Sequence, residues 1–412
     1  MRTLVVGSGG REHALVWKLK QEKIEVYCAP GNGGISEDAV CYNAHTIDEL
    51  VEFASERRID LTIVGPEAYL AQGIVDAFEA RGLKIFGPNA VAARLESSKV
   101  FAKMLMDRYD IPTARFRWFD DPNHAERYLE RCEFPVVIKA DGLAQGKGSY
   151  VVKDREDGFA VIDLLMRKKI FGQSGEKIVI EEFLEGKEMS LMVLSDGRTF
   201  VPLLSAMDYK KAHDGDRGPN TGGMGSIAPA PHYSEELWRI VKKEMLDKLL
   251  VAFEKESIVY KGVLYLGLMI TRDGPRVLEF NCRFGDPETQ AVLPLMRTNL
   301  TEVCLAAIEG SLSKLSLSWH DEKSVCVVLA SGGYPGEYRV GFAIDGLDSA
   351  EGVLIFHAGT KKQDGKFVTS GGRVLNVCAT GKTYEEARRK VYSQIEKIHF
   401  DGMHFRKDIG LV

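Results

Sequence analysis

The sequence lacks an apolar run that could cross a lipid bilayer. The longest apolar stretch, near residues 262–270, is far shorter than the roughly 20 residues that a spanning helix needs. A basic and apolar leader is also missing, because residues 2–7 read directly as a strand. Neither charge is in large excess, since 54 Lys and Arg residues accompany 59 Asp and Glu residues, for a net charge of −5. We therefore expect a cytoplasmic protein that binds neither nucleic acid nor membranes.

Cysteine pairs with the spacing of metal ligands are missing as well. The seven cysteines are scattered along the chain, and none of them form a C-x-x-C pair. Cys282 lies inside a motif described below, but no adjacent histidine pattern supports a nucleophilic thiol, so we interpret it as a small packing residue. We expect reduced, mostly buried thiols and no zinc site.

The length of the chain, 412 residues, predicts about three domains rather than one core. Strands and helices alternate over residues 1–97, which predicts a doubly wound α/β domain with a parallel sheet. Residues 98–320 are expected to form a central α+β region, with a small lid subdomain at about 113–187. Residues 321–412 predict a small α+β domain. The expected fold class is therefore multidomain, α/β and α+β.

Glycine-rich turns follow strands of the amino-terminal sheet, where ligands of such sheets bind. The turn at residues 7–10 opens a helix whose amides can receive a phosphate. It is not a dinucleotide fingerprint, because Glu12 replaces the third glycine and the next strand does not end in an acidic residue. A monophosphate is the better ligand, which His13 either contacts or packs beside. Glu67, at another strand end, can accept hydrogen bonds from ribose hydroxyls.

A second glycine-rich segment, residues 139–148, joins two predicted strands. It is not a Walker A loop, because only three residues separate Gly142 from Gly146 and Lys147 is followed by glycine. A flexible glycine hairpin can fold over phosphates, while Lys139 at the strand end supplies a cation. The alternative is a surface hairpin, although a lysine inside the apolar strand PVVIKA is hard to explain without an anion.

Two oxygen-bearing side chains, Glu279 and Asn281, end a predicted strand. Their spacing puts both on one face, while Leu278 and Phe280 are expected to point into the core. One carboxylate and one amide oxygen suit Mg²⁺, which takes a few protein oxygens and completes its shell with water and phosphates. The alternative is a strand end with solvated polar residues.

Two other segments are rich in polar groups. Residues 178–188 read as a strand followed by a hinge that can recognise an adenine edge and ribose hydroxyls. Residues 205–235 show little periodicity and are expected to form a long loop, whose charges and glycines suit closure around polar ligands or a plain linker.

Together, the segments LEFNCRFGDPE, VVIKADGLAQGKG, IEEFLEGKE and DGDRGPNTGGMG resemble the ATP-grasp ligases. With the amino-terminal GSGGREHAL, the whole chain resembles the phosphoribosylamine–glycine ligase (glycinamide ribonucleotide synthetase) family. The resemblance implies ATP-grasp central domains and a ligase of purine biosynthesis that uses ATP and Mg²⁺ or Mn²⁺. It implies that glycine is joined to 5-phosphoribosylamine through glycyl phosphate, and that ADP and phosphate are released. We expect a monomer with small-molecule partners.

The resemblance also implies roles for individual residues. The metal ligands would be Glu279 and Asn281. ATP would be bound by Lys99, Lys139, Gly146, Lys147, Glu181, Phe183, Leu184 and Glu188. The other substrates would contact Gly9, Gly10, His13, Glu67, Asp208, Asn220, Thr221, Gly222, Gly223, Arg283 and Asp286. Arg283, Asp286 and Lys139 would be catalytic. The residues Tyr209, Lys211 and Gln145 depart from the family pattern, so no role is implied for them.

Three other functions stay open. The first is a nicotinamide-dependent oxidoreductase, against which the missing third glycine and the missing ribose acid count. The second is another ATP-grasp carboxylate–amine ligase or a carboxylase, which would share the metal strand. The third is a catalytically silent nucleotide sensor, which is disfavoured because the metal pair and both phosphate lysines occur together.

Overall fold

A computed structural model gives the fold of residues 1–144 and 146–412. Gln145, for which the sequence implies no role, lies outside the described residues. The described residues form four larger sheets and two two-stranded sheets. None of their helices is long and apolar enough to cross a membrane.

The amino-terminal residues form a parallel five-stranded sheet. Its elements are β1 (Arg2–Gly7), α1 (Gly10–Lys20), β2 (Glu25–Pro30), α2 (Ile35–Asp38), β3 (Val40–Cys41), α3 (Ile47–Glu56), β4 (Leu61–Val64), α4 (Glu67–Ala71), α5 (Ile74–Glu79) and β5 (Ile85–Phe86). The strand order is β3-β2-β1-β4-β5. Val5 packs in the same core cluster as residues of α1, whereas Leu4 and Val6 pack with residues of α3 and α5. Because neighbouring strand residues face opposite sides, both faces are covered, and the doubly wound prediction is confirmed.

Two helices, α6 (Ala90–Ser97) and α7 (Lys99–Arg108), lead from this sheet to the lid subdomain. Ser98 separates them, and its hydroxyl accepts a hydrogen bond from the Phe101 amide at 3.1 Å. This is the usual way in which serine begins a helix, because its oxygen satisfies an amide that has no partner within the helix. Lys99 is thereby the first residue of α7.

The part of the chain expected to form the lid subdomain is a four-stranded antiparallel sheet with two helices. Its elements are β6 (Phe116–Phe119), α8 (Pro122–Leu129), β7 (Val136–Ala140), β8 (Ser149–Val152), α9 (Arg155–Ile162) and β9 (Ile178–Glu182), and a π-helical turn at Asp163–Arg167 and a 3-10 turn at Gly172–Gly175 follow α9. The strand order β6-β9-β7-β8 makes the glycine segment a connection between the paired strands β7 and β8. The predicted hairpin is therefore confirmed as a strand–turn–strand unit.

The central part of the chain contributes a second antiparallel sheet. The elements from residue 187 to residue 281 are β10 (Lys187–Asp196), β11 (Phe200–Pro202), β12 (Met207–Asp208), β13 (Lys211–His213), β14 (Arg217–Asn220), β15 (Gly225–Ala228), α10 (Glu235–Val241), a π-helical turn at Lys242–Leu246, α11 (Asp247–Lys255), β16 (Lys261–Thr271) and β17 (Gly274–Asn281). Four of these strands pair in the order β11-β10-β16-β17. The strand that carries Glu279 and Asn281 is thus an edge strand.

The remaining elements contribute three strands to a five-stranded antiparallel sheet and two strands to a separate two-stranded sheet. They are α12 (Glu288–Val292), α13 (Leu300–Glu309), β18 (Lys323–Ala330), β19 (Leu354–His357), β20 (Thr360–Gln363), β21 (Lys366–Thr369), β22 (Arg373–Gly381) and α14 (Tyr384–Ile395), with 3-10 turns at Leu293–Leu295, Leu312–Lys314 and Leu347–Ser349. The strand order is β12-β15-β18-β22-β19, so two strands come from a part of the chain about a hundred residues earlier. The domain boundaries themselves stay a prediction.

The expectation of a long loop over residues 205–235 is wrong. Four short strands, β12 to β15, lie within residues 207–228, and β13 pairs with β14. These strands are two to four residues long, which is too short for an alternating pattern to show in the sequence. Their main pairing, between β15 and β18, joins residues that are distant in the sequence, so a local pattern does not reveal it.

One hydrophobic cluster joins three of the four larger sheets. It contains Val5 of the parallel sheet, Met192 and Val263 of the central sheet, Val303 of α13 and Cys326 of β18, all of which are buried. Burial of apolar side chains is the dominant stabilising contribution in folded proteins. These three sheets therefore pack against one another through a shared core, whereas the β6-β9-β7-β8 sheet has a hydrophobic cluster of its own.

A buried histidine lies where the turn before α2 packs on β19. The His357 ring is 7% exposed, and its Nδ1 lies 3.0 Å from the Thr360 hydroxyl. A Cβ atom on Gly34 would lie 2.2 Å from this ring, so only glycine fits opposite it. Burial first, and then the nearby His13, lower the pKa of His357 to about 3. The ring is therefore neutral and packed at neutral pH.

We predict that His357 makes the fold acid-sensitive. Its pKa is lower in the folded protein than in the unfolded chain, so the unfolded chain binds more protons below about pH 6.5 and stability falls with pH. Between about pH 7 and about pH 5, this residue should lower the free energy of unfolding by about 2 kcal/mol.

Urea unfolding of the wild type and of His357→Gln at both pH values tests this prediction. The variant should lose about 2 kcal/mol less on acidification than the wild type does. His124→Gln, at an exposed position on α8, is the control and should respond as the wild type does. An unchanged response in His357→Gln would contradict the assignment.

Candidate active site

The two predicted metal ligands lie together at the end of β17. Glu279 pairs across the sheet with Gly267 and Asn281 pairs with Tyr265, so both side chains lie on the face opposite Phe280. Burial opposes the ionisation of Glu279, but surrounding cations outweigh this effect and lower its pKa to about 2. In order of effect, these cations are Lys210, Lys139, Lys99 and Arg283. Glu279 is therefore an anion at any physiological pH.

A β-bulge at Leu278 corrects one expectation. The pairing with β16 shifts between Gly267 and Leu268, which leaves Leu278 as the extra residue of β17. Val277 and Phe280 are buried in the core, whereas Leu278 is only partly buried, so the expectation that Leu278 points into the core is wrong. The bulge instead directs the Leu278 carbonyl to the Lys139 ammonium, which donates a hydrogen bond to it at 3.1 Å.

A buried Lys–Glu–Lys cluster lies behind this strand. Lys139 Nζ is 3.0 Å and Lys103 Nζ is 3.1 Å from the same oxygen of Glu181, and all three side chains are at most 7% exposed. Lys103 also donates to the Thr113 hydroxyl at 2.7 Å. The ammonium groups keep the pKa of Glu181 below its usual value although burial raises it. The Glu181 side chain thus faces lysines rather than an adenine.

The sequence analysis did not identify Lys103. The signal was available, because Lys103 lies in α7 beside the buried residues Ala102 and Met106, where a lysine is unusual. Burial lowers the pKa of Lys103 to about 8, and Glu181 opposes this shift. A lysine that is buried to this extent needs a carboxylate partner, which the sequence alone does not show.

Lys99 reaches the start of the glycine hairpin. Its ammonium donates to the Gly142 carbonyl at 3.2 Å, and its own amide donates to the Asp141 carbonyl at 2.9 Å. The Asp141 carboxylate accepts hydrogen bonds from Ser98 and from the Val100 amide at the start of α7. Two lysines expected to bind phosphates, Lys99 and Lys139, therefore lie at the carboxyl end of β7.

The hinge residues after β9 lie nearer the surface. Phe183 is 39% exposed, and Leu184 is only partly covered. Glu188, on β10, lies 3.5 Å from Lys210, whose ammonium is also 3.9 Å from Glu279. Lys210 therefore links the expected ribose acid with the expected metal ligand, although the sequence analysis assigned it no role.

Arg283 is held among three oxygen-bearing side chains. Its NH2 donates to Asn281 Oδ1 at 3.1 Å and lies 3.1 Å from Glu96 Oε1, while its Nε lies 3.4 Å from Glu67. Glu96, which the sequence analysis missed, also accepts the Cys282 amide at 2.6 Å. Burial raises the pKa of Glu96 to about 7, and Arg283 opposes this shift. Burial likewise raises the pKa of the Cys282 thiol well above its usual value, which agrees with a packing role.

Asp286 connects the metal strand with the carboxy-terminal sheet. Its carboxylate lies 3.2 Å from Arg373 of β22, accepts from Gln290 at 2.9 Å, and accepts from the Arg11 amide at 3.2 Å. Burial raises its pKa, but Arg373 and Arg11 outweigh that effect and lower it. Arg373 also donates to the Gly222 carbonyl at 2.7 Å. Arg373 is a further member of the site that no local motif predicted.

The loop that contains Asn220 to Gly223 is tied to the same place. The Thr221 amide and hydroxyl both donate to the Lys210 carbonyl at 2.8 Å, and the Gly223 amide donates to the Thr221 hydroxyl at 2.9 Å. Asn220 ends β14 and is partly exposed. A Cβ atom on Gly146 would lie 3.3 Å from the Thr221 carbonyl, so the glycine hairpin approaches this loop.

Asp208, which is partly buried, lies beside a hydrogen-bonded group of the buried residues Ser190, Tyr265 and Glu288. The Ser190 hydroxyl is 2.7 Å from the Tyr265 hydroxyl, 3.3 Å from Glu288 and 3.4 Å from Asp208. Burial and the neighbouring carboxylates raise the pKa of Asp208 to about 7, although Lys210 opposes this shift. Glu288, which the sequence analysis also missed, is 3% exposed and accepts from Tyr265 at 2.9 Å.

The amino-terminal turn differs from the simple anion site that the sequence predicts. The Gly9 amide donates to Glu12 at 2.5 Å, so one helix-start amide already has a carboxylate partner. A Cβ atom on Gly10 would lie 2.2 Å from the Asn376 side chain, which makes this a close-packing position. His13 Nε2 is 3.1 Å from Asp38, and its Nδ1 accepts the His357 amide at 2.8 Å. Protein groups occupy both ring nitrogens, which favours the packing alternative, and the contact of His13 with a phosphate stays a prediction.

The donors at β17 fit a hard divalent ion. Among residues 1–144 and 146–412, no group of three or more His, Cys, Asp and Glu side chains could hold a metal. An ion bound by Glu279 and Asn281 would therefore take its remaining ligands from water and from phosphates, as Mg²⁺ commonly does. Asn281 Oδ1 is fixed by the hydrogen bond from Arg283, and such outer contacts orient metal ligands.

Family models match nearly the whole chain. The phosphoribosylglycinamide synthetase N domain matches residues 1–96, the ATP-grasp (A) domain matches residues 97–289, and the C domain matches residues 324–412.

Individual proteins show the same similarity. The chain is 54% identical to the phosphoribosylamine–glycine ligase of Caldanaerobacter subterraneus subsp. tengcongensis, over 100% of this chain and 99% of that protein. It is 46% identical to the Escherichia coli K12 ligase of the same name, over 100% and 98%. The phosphoribosylamine–glycine ligase structure from Thermotoga maritima has a TM-score of 0.86 at 38% identity, covering 99% of this chain and all of that one.

A more distant structure shares the fold alone. The biotin carboxylase domain of 2-oxoglutarate carboxylase from Hydrogenobacter thermophilus, in complex with MgADP and bicarbonate, has a TM-score of 0.74 at 16% identity. It covers 98% of this chain and 91% of that one.

We predict that Glu181→Gln strongly destabilises the protein. The substitution leaves two buried ammonium groups without their counter-charge, so the free energy of unfolding should fall by about 3–5 kcal/mol. The neighbouring substitution Glu182→Gln is a matched control, because Glu182 pairs with Arg115, which is 87% exposed. It should cost less than about 1 kcal/mol. Chemical denaturation measures both, and equal effects would contradict the cluster.

Proposed function

Because the chain belongs to the phosphoribosylglycinamide synthetase family, we propose that it is an ATP-dependent ligase that joins glycine to 5-phosphoribosylamine. The products are glycinamide ribonucleotide, ADP and phosphate, which is a step of purine biosynthesis. The supporting feature of the structure is the acid–amide pair of β17 with three lysines and one arginine from four segments around it. Cations that converge on one candidate metal-binding face suit a polyphosphate substrate.

The reaction has two steps. An oxygen of the glycine carboxylate takes the γ-phosphoryl group of ATP, and ADP leaves. The nitrogen of 5-phosphoribosylamine then attacks the carbonyl carbon of glycyl phosphate, an amide bond forms, phosphate leaves, and the nitrogen loses a proton. Neither step needs a covalent bond to the protein, so positioning and charge neutralisation are what the residues must supply.

For the phosphate groups, we assign Lys99, Lys139 and Lys147 as cationic partners, with Gly146 allowing close approach. Glu279 and Asn281 would hold Mg²⁺ or Mn²⁺, which when bound neutralises phosphate charge and holds the phosphates in line. A pair of unit charges at about 4 Å gains about 4 kcal/mol at an effective dielectric of about 20, against about 1 kcal/mol in water. Exclusion of water therefore strengthens each of these contacts.

For the nucleoside, Phe183 and Leu184 would border adenine, and Glu188 would accept hydrogen bonds from ribose hydroxyls. The partial exposure of Phe183 supports this role, because an apolar ring at a hinge can stack on a base. The Glu181 side chain would act on adenine and ribose only indirectly, because it pairs with Lys103 and Lys139.

For glycine and the transferred phosphoryl group, we assign Arg283, Asp286, Asp208 and residues 220–223. Supporting evidence is that Arg373 contacts both Asp286 and the Gly222 carbonyl, so these segments converge. For 5-phosphoribosylamine, we assign Gly9, Gly10 and Glu67. The 3.4 Å approach of Arg283 to Glu67 supports neighbouring binding sites for the amine and the activated glycine.

The proposal also covers the ion, the assembly and the location of the protein. We propose that the divalent ion is Mg²⁺ or Mn²⁺, that the protein is a cytoplasmic monomer, and that its partners are small molecules. The free state of all seven cysteines agrees with a reducing compartment.

An omission assay tests the function. ADP and phosphate release should require ATP, a divalent ion, glycine and freshly generated 5-phosphoribosylamine together, and omission of any one should abolish product formation. Turnover that continues without glycine but depends on bicarbonate would favour a carboxylase and reject the proposal. Turnover that never occurs, with nucleotide still bound, would favour a sensor.

We predict that Glu279→Gln removes activity through the metal. Loss of one of two protein ligands should lower kcat by about a hundredfold or more and raise the concentration of Mg²⁺ needed for half-maximal activity. The control is Asp273→Asn, an exposed position at the turn into the same strand, which should behave as the wild type does. Near-normal activity and Mg²⁺ dependence in a folded Glu279→Gln protein would reject the metal assignment.

A further inference from the structure

Tyr334 lies in the segment that follows β18, and its ring packs closely against Gly372. The Ser331 amide donates to the Gly372 carbonyl at 2.8 Å, which joins this segment to the residues before β22. A Cβ atom on Gly372 would lie 2.3 Å from the Tyr334 ring, so a larger residue at position 372 would displace it. The Tyr338 ring lies edge-on at 6.3 Å. The ring is therefore packed against the residue that precedes β22.

The Tyr334 hydroxyl holds one end of the Gly222 peptide unit. It accepts the Gly222 amide at 3.0 Å, while Arg373 donates to the Gly222 carbonyl at 2.7 Å. Both polar groups of Gly222 are thus paired with side chains of the carboxy-terminal region. Because Arg373 also contacts Asp286, this clamp sets the position of the loop relative to the metal strand.

The same segment contacts the glycine hairpin from the other side. The Lys147 ammonium donates to the Pro335 carbonyl at 2.8 Å and lies 5.8 Å from the centre of the Tyr334 ring. A cation at this distance from an aromatic ring is attracted to it. The hairpin and the loop of residues 220–223 therefore meet on one tyrosine, although they are about 75 residues apart in the sequence.

We propose that Tyr334 is a positioning residue that couples the position of the glycine hairpin, through Lys147, to the arrangement of the loop at residues 220–223. Its ring receives Lys147 of the hairpin, and its hydroxyl receives Gly222 of the loop, so each contact favours the other. This inference rests on the proposed function, in which the hairpin covers ATP phosphates and the loop surrounds glycine. If the hairpin covered the ATP phosphates while the loop was disordered, water would reach glycyl phosphate. Coupling through Tyr334 holds the two segments together and prevents this.

Two substitutions separate the two contacts. Tyr334→Phe removes only the acceptor of the Gly222 amide, so the KM for glycine should rise about threefold to tenfold while the KM for ATP changes less than about twofold. Tyr334→Ala removes the ring as well. In that variant the KM values for both glycine and ATP should rise, and more ATP should be hydrolysed per glycinamide ribonucleotide formed.

A measurement without turnover follows the hairpin directly. Hydrogen exchange of a peptide that covers residues 142–148 should be faster in Tyr334→Ala than in the wild type, and it should lie between the two in Tyr334→Phe, because loss of the Gly222 contact also weakens the coupled hairpin contact. Tyr338→Phe is the matched control, because Tyr338 lies in the same segment and is 40% exposed. It should match the wild type in kinetics and in exchange. A double substitution of Lys147→Met with Tyr334→Ala should slow turnover less than the product of the single effects.

The outcomes are distinct. Wild-type exchange of the hairpin and wild-type KM values in a folded Tyr334→Ala protein would overturn the inference, as would purely multiplicative effects in the double substitution. If Tyr334→Ala does not fold, Tyr334→Phe decides, because an unchanged KM for glycine in that variant would overturn it. If the wild type shows no glycine-dependent turnover, the proposed function fails, while the hydrogen-exchange comparison still decides the coupling.

Discussion

The site depends on buried carboxylates that are neutralised by cations from other parts of the chain. Glu181 of the lid subdomain is paired with Lys103 of α7, Glu96 of α6 with Arg283 after β17, and Asp286 with Arg373 of β22. An unpaired charge in such surroundings costs several kcal/mol, so each pair forms only when both segments are in place. Assembly of the charged site is therefore coupled to the packing of the segments that carry these pairs.

This constraint explains which parts of the molecule could be predicted from the sequence. The doubly wound sheet, the hairpin between β7 and β8, and the shared face of Glu279 and Asn281 depend on patterns within a few residues, and all of them appear in the structure. Lys103, Glu96 and Arg373 were missed, because their partners are distant in sequence and only the fold brings them together. The roles of the residues named from the family resemblance stay predictions, since geometry shows proximity and not turnover.

The corrections have the same origin. The bulge at Leu278 and the short strands within residues 207–228 are set by pairing with β16 and β18, respectively. His13 reads as an anion contact in isolation, but α2 brings Asp38 to one ring nitrogen and β19 brings an amide to the other. Since Nδ1 accepts a hydrogen bond, it carries no proton, and the neutral ring must donate from Nε2 to Asp38. Tertiary neighbours thus supply contacts of His13 that its local sequence does not show.

The interleaved origin of the carboxy-terminal sheet has a consequence for synthesis of the chain. β12 and β15 leave the ribosome about a hundred residues before β18, the strand on which β15 pairs. During that interval the backbone of β15 has an open edge, which is the kind of surface that pairs with other chains. Proteins truncated before β18 should accordingly self-associate. In the longer chain, β18 pairs with β15 and covers this open edge.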